Sequence, residues 1–401
     1  MTFVQHLKEK ALDHAIYPGP LEHPRYQVIP RPSDKLDIFF AGAGVEDSRF
    51  HWWKMAQRID ASVILVNNGR NEWYMHGIPG LRGTYEETIE GFRAWASPLD
   101  ATEIYTCGGS MGGSGALVYG VPLGARVLGM GFETHLNSPW GNVQRVMLTD
   151  GEPPFRDFGP LVEKATQRIV VYAGESEPVD LLGAAHIADL PLVETITLRQ
   201  VGHGPPAHLR NRKRLDPIFD AFLNDEPLPG VPNAGNGLTP GFPEALYAGY
   251  SADREKRWVD VEAQARKALN LYPRSEFAMM LLGKGLLHQK RLPEAISALK
   301  TAVEMHRQSQ EARFLLAHTT EHAGDVYGAV ALHKAILDEW PNFGRSHYSL
   351  GRIYASKNSW KSALSRLRKA VECDPQRTNF REELERVEKR ALAAGYDLGK
   401  R

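Results

Sequence analysis

Small residues recur every 34 positions through the last third of the chain. Ala295, Ala329 and Ala363 keep this step, as do Gly283, Ala317 and Gly351. Leu299, His333 and Leu367 form a third series, and Ala268, Ala302 and Ala370 a fourth, with Ile336 in its remaining slot. Pro341 and Pro375 lie one step apart. Two steps before Pro341 stands Pro273, with Arg307 at the skipped position. Apolar residues between these landmarks follow a helical period, and no strand is required. Antiparallel helices approach closely only where the facing side chains are small, and a proline behind the second helix stops it before the next begins. Such a hairpin leaves an apolar face open until a neighbour stacks on it, so the pattern commits the region to an array. Three units are expected, Ser275–Gln308, Ser309–Asn342 and Phe343–Gln376, after a half-unit at Pro243–Arg274. A terminal helix at about Asn379–Gly395 hides the last apolar face.

The period, the paired small positions and the trailing proline resemble the tetratricopeptide repeat. Over Pro243–Gln376 that resemblance implies an all-α solenoid whose groove holds a protein or peptide partner.

The preceding sequence is of another kind. At 401 residues the chain exceeds what one hydrophobic core serves. The break falls at Asn224–Pro243, NDEPLPGVPNAGNGLTPGFP, which is dense in Pro, Gly and Asn and has no period. It divides the chain into a domain at 1–224, a linker at 225–242 and the helical array at 243–401. Upstream of the break, strand-like runs occur at Leu36–Ala41, Ser62–Val66, Glu103–Thr106, Arg126–Met130, Arg168–Ala173 and Glu194–Leu198. Amphipathic segments such as Thr84–Trp95 and Gly113–Tyr119 sit between them. This alternation predicts an α/β domain, a mostly parallel sheet with helices on both faces, and Tyr26–Ile29 pairs antiparallel at one edge.

Composition removes several function classes. Lys and Arg number 48, as do Asp and Glu, so nothing here suits coating nucleic acid or an anionic membrane. The 42% hydrophobic content excludes wholesale disorder. The first twenty residues lack the apolar run of a secretory signal, and no stretch has the length of a membrane span. Cys107 and Cys373 make no disulfide framework, so a reducing, cytoplasmic setting is expected. The histidines are scattered and neither H-E-x-x-H nor paired-cysteine spacing occurs, so no metal and no cofactor is expected.

Between a strand-like run and a helix-like run stands Gly108-Gly109-Ser110-Met111-Gly112, which fits G-x-S-x-G. This is the nucleophile-elbow pattern, and the domain over Leu36–Leu223 resembles the α/β-hydrolase fold. The turn is so sharp that the flanking positions have no room for side chains, hence the glycines. The alternative is a plain Gly-rich turn with a capping serine; a phosphate loop lacks its Lys-Ser/Thr. The resemblance implies that Ser110 is a nucleophile and that the Met111 N–H forms half of an oxyanion hole. It also implies the chain order serine, acid, histidine. His203, in the Gly-His after the last strand, is the candidate base, with His208 five residues on reading as helix start. The acid should follow Arg168–Ala173, where Asp180 and Glu177 both qualify; Asp189 falls too far along. The second oxyanion donor should come from Gly42-Ala43-Gly44, so Ala43 and Gly44 are its candidates.

Asn67–Gly80 also overhangs the sheet's carboxyl edge. Arg70, Trp73 and Tyr74 either line a pocket there for a saccharide or polar acyl acceptor or simply pack the loop down. His51-Trp52-Trp53 reads as a helix start with its tryptophans in the core, and Cys107 as a buried small residue. GGSMGGSGALVYG followed by an apolar strand is also similar to hydrolase-like proteins encoded with bacterial polysaccharide genes. A serine esterase acting on a small acyl ester or saccharide and carrying a protein-binding array is therefore expected. The other readings are a tetratricopeptide scaffold with a degenerate hydrolase domain, and an O-acyltransferase acting on a saccharide or protein.

Overall fold

A computed structural model describes residues 17–69, 71–147 and 155–397. They form two compact units. One runs to Arg254 and takes in Leu271–Ser275; the other holds Glu255–Asn270 and the chain from Glu276 onward.

The first unit is built on an eight-stranded mixed sheet. Its strands are β1 Glu22–His23, β2 Tyr26–Ile29, β3 Lys35–Phe40, β4 Ser62–Val66, β5 Glu103–Gly109, β6 Arg126–Met130, β7 Ile169–Gly174 and β8 Val193–Leu198. Their spatial order is β1-β2-β4-β3-β5-β6-β7-β8. The β1–β2 and β2–β4 pairs are antiparallel, and β3 to β8 run parallel. The helices are α1 Trp53–Arg58, α2 Tyr85–Ala96, α3 Met111–Leu123, α4 Asn142–Val146, α5 Gly159–Val162, α6 Pro178–Ala188, α7 Pro205–Asn211, α8 Leu215–Leu223 and α9 Phe242–Arg254.

Side chains alternate across β3. Leu36, Ile38 and Phe40 enter the core beneath α2, α3 and α6, whereas Phe39 joins Met55, Leu209 and Phe219 beneath α1, α7 and α8. Both faces are covered, which is why the strand reads as a continuous apolar run. Each of these side chains contributes roughly 1.5–3 kcal/mol by leaving water. From β3 the chain steps to β4 on one side, then crosses to β5 on the other. The carboxyl ends of β3 and β5 therefore flank a topological switch point, where α/β sheets form their ligand crevice.

The segment expected as a linker is part of this unit. The Arg199 N–H donates to Asn233 O at 2.9 Å, the Gly235 N–H to Thr197 O at 2.9 Å, and Leu198 bridges Ala234. The outer edge of β8 would otherwise present unpaired backbone groups, and this stretch satisfies them. Gly237 N–H reaches the buried Glu175 Oε1 at 2.8 Å. Helix α9, expected to open the array at 243, instead packs on α6. Its apolar side, with Phe242, Ala245 and Leu246, is buried, so the first unit extends to Arg254.

The second unit holds α10 Trp258–Leu271 up to Asn270, then α11 Glu276–His288, α12 Leu292–Met305, α13 Gln310–His322, α14 Val326–Glu339, α15 Gly344–Ser356, α16 Trp360–Cys373 and α17 Thr378–Ala393. The pairs α11–α12, α13–α14 and α15–α16 coincide with the three units expected from the period. A Cβ on Gly283 would lie 2.5 Å from Leu299 Cγ, and one on Gly351 would lie 2.6 Å from Leu367 Cγ. The same helix crossing is thus built twice, two periods apart.

The middle unit departs from this pattern. There His333 occupies the slot that Leu299 and Leu367 fill, wholly buried, with Nδ1 3.1 Å from Ser346 Oγ and Nε2 unpartnered among the described residues. Burial, helped by His318, pushes its pKa down to about 4. Replacing both partners, His333→Leu with Ser346→Ala, is expected to stabilise the array by about 1–2 kcal/mol at pH 7, read as a higher urea midpoint. Between pH 6.5 and 4 the unfolded wild-type chain takes up a proton that the folded one refuses. Wild-type stability therefore falls across that window, and the variant's advantage widens. An advantage that stays flat would mean His333 is not the group titrating.

Candidate active site

Ser110 stands between β5 and α3 with φ 56° and ψ −132°, a conformation that is strained for any residue with a side chain. Its N–H is anchored on Met130 O and Gly131 O, each at 3.1 Å. The neighbours explain the glycines. A Cβ on Gly108 would lie 2.0 Å from Gly112 O, and one on Gly112 would lie 2.2 Å from Phe40 O. The elbow is thus pressed against the end of β3, beside the switch-point crevice.

The loop after β8 brings His203 over the elbow. Its Nε2 lies 2.7 Å from Ser110 Oγ, and its Nδ1 lies 2.6 Å from Asp180 Oδ2. Asp180 sits in the first turn of α6 and is fully buried. Glu177, the other candidate acid, is the residue before α6 and acts on His203 only through its charge. Burial alone would lower the His203 pKa. The hydrogen bond and charge of Asp180, joined by Glu177 and Glu133, outweigh it and hold the imidazole above its ordinary range. His208, on α7, has its pKa lowered chiefly by burial, and Asp189 lies beyond α6, away from the cluster.

Of the three amides in the β3 loop, two are already engaged. Gly42 N–H donates to His51 Nδ1 at 3.0 Å and Gly44 N–H to Asn71 Oδ1 at 2.9 Å. Gly44 is therefore not an oxyanion donor, because its N–H holds the loop in place. The amides of Ala43 and Met111 carry no partner among the described residues. Ala43, Ser110 and His203 line one cleft of about 910 Å³, together with Trp52, Trp53 and Arg210. Trp52 packs on the core through Phe39 and Phe219 while also lining the cleft, whereas Trp53 lies at the cleft and not in the core. Helix α1 turns Met55 and Ala56 inward and leaves Trp53 44% exposed.

The loop after β4 is packed down. Trp73 and Tyr74 are buried, and the Tyr74 hydroxyl donates to Ala41 O at 2.9 Å. Arg70 lies outside the described residues. Cys107 is buried with its thiol 3.7 Å from Asp37 Oδ2.

Residues 280–342 match the tetratricopeptide repeat family model. The chain contains tetratricopeptide repeats. No curated protein is significantly similar to it in sequence. Among solved structures, MamA from Desulfovibrio magneticus RS-1 is 13% identical, covering 37% of this chain and 84% of its own, with a TM-score of 0.33. YrrB, described as a tetratricopeptide protein with an unusual peptide-binding site, is 17% identical over 53% of this chain and 93% of its own, TM-score 0.34. A tetratricopeptide protein from Parabacteroides merdae is 18% identical over 38% and 66%, TM-score 0.32. Among the described residues outside and within the tetratricopeptide region, no helix is long and apolar enough to cross a membrane.

Two groups at the site escaped the sequence reading. Glu133 follows β6 and is buried. Burial first, then the charge of Asp180, raise its pKa to about 7 against the opposing Asn142 and Val143 amides. Its Oε1 accepts from Asn142 N at 2.5 Å. Asn142 in turn places its Nδ2 3.5 Å from His203 Nδ1. The only signal in the sequence was a carboxylate just after the strand beside the elbow.

Proposed function

We propose that the first unit is a serine-dependent acyl hydrolase and that the tetratricopeptide repeats bind a protein or peptide partner. One observation carries the enzymatic reading: a strained serine, an imidazole and a buried carboxylate lie in hydrogen-bonded series at the switch point of the sheet. In this reading Ser110 Oγ attacks the carbonyl carbon of an ester while His203 Nε2 takes its proton. The Met111 and Ala43 amides hold the oxyanion that forms, where hydrogen bonds are strongest for developing charge. The tetrahedral species then collapses, and the leaving alkoxide takes the proton back from His203. Water, or an acceptor hydroxyl in the acyltransferase variant, repeats the sequence on the acyl-enzyme. Asp180 holds the imidazole in the required tautomer and supports its positive charge. The cleft, walled by tryptophans and Arg210, suits a small acyl group or one presented on a saccharide or protein. Two free cysteines and a balanced charge accord with a cytoplasmic enzyme.

A second reading rests on the repeat match itself: a partner-binding scaffold whose sheet unit is catalytically inactive. A fluorophosphonate probe separates them. Covalent labelling that peptide mapping places on Ser110 is the expected result. A folded protein that takes no label at any pH between 6 and 10 leaves only the scaffold.

A further inference from the structure

Three side chains from separate segments of the first unit converge outside the Ser110 cleft. His135 follows β6, Asp157 precedes α5 and His186 lies in the last turn of α6. His186 Nε2 lies 2.8 Å from Asp157 Oδ1, and His135 Nε2 lies 3.8 Å from Asp157 Oδ2. All three donors lie within 4.8 Å of one another. None of them lines the cleft.

We propose that His135, Asp157 and His186 bind a zinc-type divalent cation. The donor spacing fits. Ligands about 2.0–2.1 Å from a tetrahedral zinc stand about 3.3 Å apart, and the separations of 2.8 Å and 3.8 Å, each to a different oxygen of the one carboxylate, lie on either side of that value. The donor set fits too. Two imidazole nitrogens and one carboxylate oxygen suit zinc and its first-row neighbours, not calcium or magnesium, which take oxygen ligands. The two imidazole rings have centroids 3.9 Å apart at 55°. At that distance each ring can offer one nitrogen to a shared cation. The backbone is shaped for it as well. His135 and Asp157 are tied by an antiparallel backbone bridge, and Asp157 Oδ1 is oriented by the Gly159 N–H at 2.8 Å. A Cβ on Gly159 would lie 2.8 Å from His186 Nε2 and 3.2 Å from Asp157 Oδ1, so a glycine there keeps the donors clear. Three protein ligands leave a fourth position open to water or a ligand. The cation would pin the segments around α5 to α6, the helix that carries Asp180.

The test is titration of the full chain, carrying Ser110→Ala, with zinc chloride by calorimetry and with cobalt chloride by visible absorption. This background makes the outcome independent of the hydrolase reading. One equivalent of zinc, a cobalt d–d spectrum of four- or five-coordinate type, and a thermal midpoint that rises with zinc are expected. Asp157→Asn retains the acceptor for the Gly159 N–H, and His135→Asn with His186→Asn removes both nitrogens. Each should weaken zinc binding at least about a hundredfold while metal-free circular dichroism stays unchanged. No saturable binding, or binding equal in the variants because other histidines hold the ion, overturns the assignment.

Discussion

Ser110→Ala is expected to reduce turnover of a short-chain p-nitrophenyl ester by a factor on the order of 10⁶, to the level of the uncatalysed reaction plus binding. The thermal midpoint should scarcely move. Alanine keeps the Cβ that strains the φ 56°, ψ −132° conformation, and the Ser110 N–H bonds to Met130 and Gly131 survive. Ser110→Gly should be equally inactive and yet more stable, by about 1–2 kcal/mol, because glycine adopts this conformation without penalty. The pair separates two properties that share one residue. If the glycine variant were less stable than wild type, Ser110 would not be a strained position held for its hydroxyl. If the alanine variant turned over ester at the wild-type rate, the hydrolysis would belong to another group.

The array was legible because its constraint is one-dimensional. Gly283 and Gly351 meet Leu299 and Leu367 in the same way, so the physical demand of each helix crossing is written into the chain at a fixed interval. The sheet was legible from covered strands such as Ser62–Val66, whose every residue is buried. The ends of elements were less so. Strand β5 runs on to Gly109, because a glycine run carries no strand signal although the turn needs it. The segment around Ala234 and helix α9 carry the composition of a linker and the period of a repeat. Tertiary contacts with β8 and α6, invisible in local pattern, assign both to the first unit. Within the site, chain order singled out Ser110 and His203. Asp180 was only slightly favoured over Glu177, because the choice depends on where the first turn of α6 aims its carboxylate. Gly44 was misread for a related reason, since its partner Asn71 lies on another loop. Glu133, Asn142 and the group of His135, Asp157 and His186 meet only through folding, and no spacing announces them.

Asp180→Asn is expected to lower kcat/KM by about 10³–10⁴ and to shift its pH dependence toward acid. The rate loss follows from the 2.6 Å contact with His203 Nδ1. An amide can turn its NH2 toward that nitrogen, which moves the ring proton to Nε2, where the serine's proton must be received. The shift has a definite sign. The base works only as neutral imidazole, so wild-type kcat/KM should rise with pH through a midpoint above the ordinary value of about 6.5. In the variant, burial pulls that midpoint down, while only Glu177 and Glu133 still pull it up. Glu177→Gln should change the rate only a few-fold and lower the midpoint slightly, since it supplies charge without a hydrogen bond to the ring. That contrast decides which of the two acids orients His203. An unmoved midpoint in Asp180→Asn would assign the titration to a different group. Glu133, lifted to about 7 in part by the charge of Asp180, would move the same way as His203, so Glu133→Gln separates the two: the transition should persist in that variant if His203 carries it.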